Sequence, residues 1–176
     1  PRVVGKGSDA EPPICLGTMI IVTAPANLGG ITFDGVDLIL SAPHVDIDST
    51  EDDIKSLVDK VAALDLQIGS VVAPVWRLTG GGSAMGNEMD RDRFVTQVRK
   101  SCHISRRLTE LGVRPSGVVR IDSSVDPATW GADSVANSSL IANTFRESYN
   151  VADDCREKGL PPKAKCVGAV YMAGRR

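Results

Sequence analysis

The stretch GVDLILSAPHVDIDSTEDDIKSLVDKVAALDLQIGSVVAPVW, residues 35–76, decides the fold. It opens on GVDLILSA (35–42), a nearly continuous apolar run of strand length. Such a run suits a strand buried on both faces, as in a parallel sheet. Ser49 or Thr50 then stands where a helix needs its N-cap. Glu51, Asp52 and Asp53 follow in the first turn, where carboxylates favour the positive helix end. Ile54, Leu57, Val58 and Val61 fall at i, i+3, i+4 and i+7, which lays them on one buried stripe. A second strand, QIGSVVAPVW (67–76), completes the unit. Strand, helix and strand joined by short turns make a βαβ unit, and hence a parallel α/β sheet.

The same alternation continues downstream. A Gly-rich loop, LTGGGSAMGNEMD (78–90), leads into a long helix beginning near Asp90. Phe94, Val95, Val98, Cys102, Ser105 and Leu108 share its inner face. Gly112 suits its C-terminal stop and Pro115 blocks continuation. A third strand is SGVVRID (116–122). A loop carrying Asp126, Pro127 and Trp130 leads to a helix from about Asn137, with Leu140, Ile141, Thr144, Phe145, Ser148, Val151 and Ala152 as its apolar stripe. Residues 164–173 are a candidate last strand. Upstream, residues 1–17 read as loop, and Pro25 interrupts the apolar segment 18–28.

Composition bounds the function classes. The chain has 176 residues, enough for one domain with a sizeable core and too few for two. A net charge of −2 excludes a strongly basic nucleic-acid binder, and 4% aromatic residues leave no base-stacking platform. No run approaches the roughly 18 apolar residues of a membrane span. The start, PRVVGKGSDAEPPICLG, lacks the apolar core of a signal peptide, so a cytoplasmic protein is expected. Cys15, Cys102, Cys155 and Cys166 form no CxxC pair and read as small buried apolar residues.

In parallel α/β folds chemistry gathers at the C-terminal ends of strands. That rule selects three places. His44 follows the first strand, with Asp46 and Asp48 close behind; a His beside carboxylates can bind a metal or move a proton, or simply sit in a loop before an acidic helix start. Asp46 and Asp48 read as turn and capping residues. Trp76 ends the second strand, as an apolar wall for a sugar ring or as a cover for the core. Gly81, Gly82 and Ser83, after Gly80, can offer backbone N–H groups to an anion or merely form a flexible connector; no Gly-Lys-Ser/Thr follows, so this is not a P-loop. Arg120 can grip a phosphate or carboxylate and Asp122 a sugar hydroxyl. Two apart on a strand, they share a face, and the competing reading is an ion pair or helix cap.

These residues carry a resemblance. The stretch 35–76, then TGGGSAMG (79–86), then DRFVTQVRKSCHISRRLTELGVRPSGVVRIDSS (92–124), is similar to bacterial sugar isomerases and epimerases of the xylose-isomerase-like TIM-barrel family. KGSDAEPPI (6–14) resembles the same group, and SVVAPVW followed by TGGGSAMG is the most specific part. The resemblance implies a (β/α)8 barrel, of which residues 1–176 form a single partial domain with 155–176 a divergent tail. It implies a small sugar, polyol or keto-sugar substrate and a divalent metal (Mn, Mg, Co or Zn) that stabilises an enediolate-like intermediate while acid–base groups move the proton. The family's metal ligands come from later strands, and none is placed on this chain. What carries over, as outer-site candidates, is His44, Trp76, Arg120 and Asp122; with the loop residues read above, the candidate site is His44 as the catalytic residue and Trp76, Gly81, Gly82, Ser83, Arg120 and Asp122 toward the substrate.

The chain departs from the family where Arg77 and Leu78 stand in place of prolines, at Pro25, and after Asp154. A complete barrel needs about 250 residues. One back-translation of residues 160–170 encodes AAEGEMCWGG in another frame, close to the family's next strand, AAEGEICWGGMH; a frameshift would explain the tail. Two other readings stand beside the enzyme. One is a non-catalytic half-barrel that binds a small polyol or anion or only self-associates through its exposed sheet edges. The other is a complete flavodoxin-like protein with a phosphate at the Gly-rich loop.

Overall fold

A computed structural model of the chain describes residues 14–42, 44–115, 118–123 and 127–157. Its elements in order are α1 (Leu16–Thr23), β1 (Asn27–Leu28), β2 (Ile31–Thr32), β3 (Gly35–Ile39), α2 (Glu51–Ala63), β4 (Gln67–Val72), a 3-10 turn (Arg77–Thr79), α3 (Glu88–Glu110), β5 (Val119–Arg120), α4 (Pro127–Ala132) and α5 (Ser134–Glu157). β1 and β2 form a small antiparallel hairpin. β3, β4 and β5 form a parallel sheet in chain order.

Local chemistry accounts for the helices. At α2, Thr50 accepts from the Asp53 N–H while the Asp53 carboxylate accepts from the Thr50 N–H, a reciprocal cap. Ile54, Leu57, Val58 and Val61 are all buried, as the stripe requires. α3 starts at Glu88, two residues upstream of the expected start, and Asn87 caps it with its side chain accepting from Asp90 N–H at 2.9 Å. Gly112 takes φ +84 just past the end of α3, a left-handed conformation that glycine adopts without Cβ strain.

The helices contact one another in sequence, α1 on α2, α2 on α3 and α3 on α5. A sheet that advances strand by strand beneath a single helix layer is the arrangement of barrel (β/α) units; a doubly wound flavodoxin-like sheet places helices on both faces. The chain is therefore α/β, built of parallel (β/α) units of a partial TIM barrel, and among the described residues the sheet does not close. The core lies between sheet and helices in two clusters. Leu38, Leu40, Ile68 and Val71 meet α1, α2 and the end of α3. Ala73, Val75, Val119 and Ile121 meet α3 and α5, where Phe94 and Phe145 stack with ring centroids 6.0 Å apart.

Several expectations are corrected. The strands are shorter than the apolar runs, ending at Ile39 and Val72, because the chain turns away once its ladder partners run out. Residues 127–132, expected as loop, form helix α4, and α5 starts at Ser134 rather than near Asn137. The segment 18–28 holds the end of α1, with Pro25 beyond it, and then β1. Cys102 and Cys155 are buried but Cys15 is exposed, since it precedes α1 outside the core. Cys166, the candidate strand 164–173 and residues 1–13 of the expected loop 1–17 lie outside the described residues, and Leu16 and Gly17 of that loop open α1. Among the described residues no helix is long and apolar enough to cross a membrane.

Candidate functional site

The loops that leave the C-terminal ends of β4 and β5 meet. Val72 pairs with Arg120, Ala73 N–H donates to Arg120 O at 3.0 Å, and Ala84 N–H donates to Ser123 O at 3.2 Å. Thr144 of α5 donates its hydroxyl to Ala84 O at 2.9 Å and fixes the loop from behind. Arg120 and Asp122 share a face as their spacing predicts, with Nη2 and Oδ1 3.5 Å apart and side chains 45% and 19% exposed. An ion pair this exposed contributes roughly 0–1 kcal/mol, so the pairing alone does not lock Arg120.

The Gly-rich loop is packed rather than flexible. Gly81, Gly82, Ser83, Ala84 and Met85 are all buried. The Gly80, Gly81 and Ser83 N–H groups donate to Arg77 O, Trp76 O and Asp90 O. A Cβ on Gly81 would run into the Val75 backbone, and one on Gly82 into Asp90 O. These glycines let two backbones touch. An anion reaching the Gly81–Ser83 segment would have to displace hydrogen bonds already made. Trp76 anchors the turn through its carbonyl, which accepts from Thr79 N–H, Gly81 N–H and the Thr79 hydroxyl, and its side chain is half-buried.

His44 sits apart from that group. It lines a cleft of about 480 Å³ with Cys15 and Ile20 of the α1 region and Asp53 and Lys60 of α2; none of Trp76, Gly81, Gly82, Ser83, Arg120 or Asp122 lines it. Burial pushes the imidazole below its ordinary pKa, and Nδ1 is out of solvent with no hydrogen-bond partner. At the cleft edge the Thr18 hydroxyl, 3.2 Å from Cys15 Sγ, lowers the thiol. Asp46 and Asp48 are used locally. Asp46 accepts from Asp48 N–H, and Asp48 pairs with Lys100 of α3 at 2.5 Å.

Two residues that sequence reasoning passed over bind the sheet's backbone, Asp37 from within β3 and Arg114 from the loop after α3. Asp37 Oδ1 accepts from Ser70 N–H at 2.8 Å. Arg114, 2% exposed, donates through Nε to Gly69 O at 3.2 Å and through Nη2 to Val118 O. Asp37 is the lone acidic residue inside GVDLILSA, which was its available signal. Arg114, in a loop before Pro115, gave none.

The fold and this strand-end geometry define the class, a run of (β/α) units of TIM-barrel type with polar side chains at the strand ends. A D-tagatose 3-epimerase-like protein of known crystal structure is similar in fold, with a TM-score of 0.55 and 20% identity, over 71% of this chain and 42% of that one. The chain thus spans less than half the length of that structure. No family model and no curated protein matches the sequence.

Proposed function

We propose that the chain belongs to the sugar isomerase and epimerase lineage and uses the open ends of β4 and β5 to bind a small sugar, sugar phosphate, polyol or keto sugar. The observation that carries this is the Arg120–Asp122 pair, half-open to solvent at a parallel-strand end, in a fold shared with a protein described as D-tagatose 3-epimerase-like. Arg120 takes an anionic or carbonyl oxygen and Asp122 a hydroxyl; Trp76 offers an apolar edge to the ring, and the Gly81–Ser83 segment shapes the floor. His44, the catalytic candidate by resemblance to the family, lines a separate cleft, so the strand-end site binds its sugar without it. The divalent metal implied by that resemblance needs several converging oxygen or nitrogen donors. The described residues do not fit it: no three His, Cys, Asp or Glu side chains converge among them, Asp122 faces Arg120, and Asp48 is paired with Lys100.

The second reading is a half-barrel that binds a polyol without turning it over, or only associates with itself. It is favoured by the engagement of Asp46, Asp48 and Asp53 in turns, ion pair and cap. Titration with ketohexoses, D-tagatose included, and their phosphates decides between the two, with and without Mn²⁺. Saturable binding that weakens about tenfold or more in Arg120→Ala and Asp122→Asn supports the site, since each loses hydrogen bonds of about 1.5–3 kcal/mol. Carbon-3 epimerisation that vanishes in Arg120→Ala supports the enzyme. Binding unchanged in both strand-end variants overturns the site.

A further inference from the structure

β4 contains one residue more than its neighbour. Val36 stands opposite Ile68 and Leu38 opposite Val71, so Gly69 and Ser70 together oppose Asp37. This is a β-bulge, which leaves backbone groups out of the ladder and bends the strand. The two groups that fall out are claimed by side chains of opposite charge. Asp37 Oδ1 takes the Ser70 N–H at 2.8 Å, and Arg114 Nε gives to Gly69 O at 3.2 Å. A Cβ on Gly69 would stand 2.5 Å from Asp37 Oδ1, so a larger residue there would push the Asp37 carboxylate from its place. Arg114 also donates to Val118 O, at the start of β5.

We propose that Asp37 and Arg114 are positioning residues that hold β4 in its bulged register and so deliver Arg120 and Asp122 to the open face; this rests on reading that face as the binding site. The reason lies in alternation. With the bulge, Ile68 and Val71 both enter the helix-side core and Val72 turns to the opposite face beside Arg120. Without it, strict alternation from Ile68 would put Ser70 into the core and turn Val71 outward, because a slip of one residue exchanges every side chain between faces. β5 pairs only with the part of β4 beyond the bulge, at Val71 and Val72, so its register follows. Arg114, bonded to both Gly69 O and Val118 O, ties the bulge to that pairing.

Two-dimensional amide NMR on the full chain tests this without any sugar, so its failure is separate from failure of the binding reading. The wild type gives one cross-peak each for Ser70, Val72 and Arg120. Asp37→Ala gives two sets for residues 71–73 and for Arg120, from bulged and slipped registers, while Leu57 and Val61 of α2 keep single peaks. Asp37→Asn, which retains the accepting oxygen, restores one set. A single set in Asp37→Ala, with only Ser70 shifted, overturns the proposal. Where Asp37→Ala yields an unfolded spectrum, deleting Gly69 in the same chain leaves one residue opposite position 37 and a single register. Recovery of a folded spectrum then supports the proposal, and persistent unfolding overturns it.

Discussion

At the scale of single residues, His44 carries a pH signature. Its half-buried imidazole is held below the ordinary value of 6.5 by desolvation, whereas the unfolded chain protonates near that value. Just below pH 6.5 the unfolded state therefore binds more protons, and stability falls as pH drops through this window toward the folded pKa. Glu51, Asp53 and Glu110 are also lowered, by Arg107, Thr50 and Arg106 respectively, but their contributions are complete above the ordinary carboxylate range and are lost only at lower pH. Thermal melts between pH 7.5 and 5 should show a falling midpoint in the wild type and a flatter line in His44→Gln; parallel lines would refute the assignment. The sequence placed His44 directly after a strand running to Ala42; β3 ends at Ile39, and His44 lies five residues beyond it in the following loop. Its separation from Arg120 was illegible because it depends on where the strand stops and on α1, which Pro25 obscured. Asp37 and Arg114 were illegible for another reason: each acts on a backbone more than thirty residues away in sequence.

At the scale of elements, short-range chemistry was the legible part. The α2 stripe, the inner face of α3 and the Gly112 stop are set by residues within a few positions of one another, and each occurs in the structure. Thr50→Ala removes the acceptor for Asp53 N–H and half of the reciprocal cap, which should cost about 1 kcal/mol. Urea denaturation monitored by circular dichroism reads this as a lower midpoint with unchanged slope; an unchanged midpoint would mean that neighbouring waters replace the cap. α4 was missed although Pro127 stands at its first position, where proline's fixed φ suits a helix start. The β4 bulge was missed because SVVAPV has no alternation to interrupt. A continuous apolar run hides its own register, which only the neighbouring strand reveals.

At the scale of the whole molecule, sheet order decides what the chain exposes. β3 and β5 pair with β4 on their inner sides and with no other strand among the described residues. In a closed barrel each of these outer sides would meet another strand. Among the described residues no strand covers either outer side, the condition under which chains join edge to edge. Large exposed apolar side chains add to this, with Leu28, Ile31 and Phe33 in or beside the β1–β2 hairpin and Leu78 fully exposed on the 3-10 turn. The expected outcome is self-association of this chain that strengthens with concentration. Size-exclusion chromatography with light scattering, run from micromolar to submillimolar protein, should show mass rising above 18.6 kDa. Replacing Ile31 with Lys should leave that rise intact if the sheet edges drive it, because β1 and β2 form a sheet of their own. Loss of association in Ile31→Lys would transfer the cause to the hairpin. A compact monomer at every concentration would show that both outer edges are protected, against the reading of an open partial barrel that pairs through them.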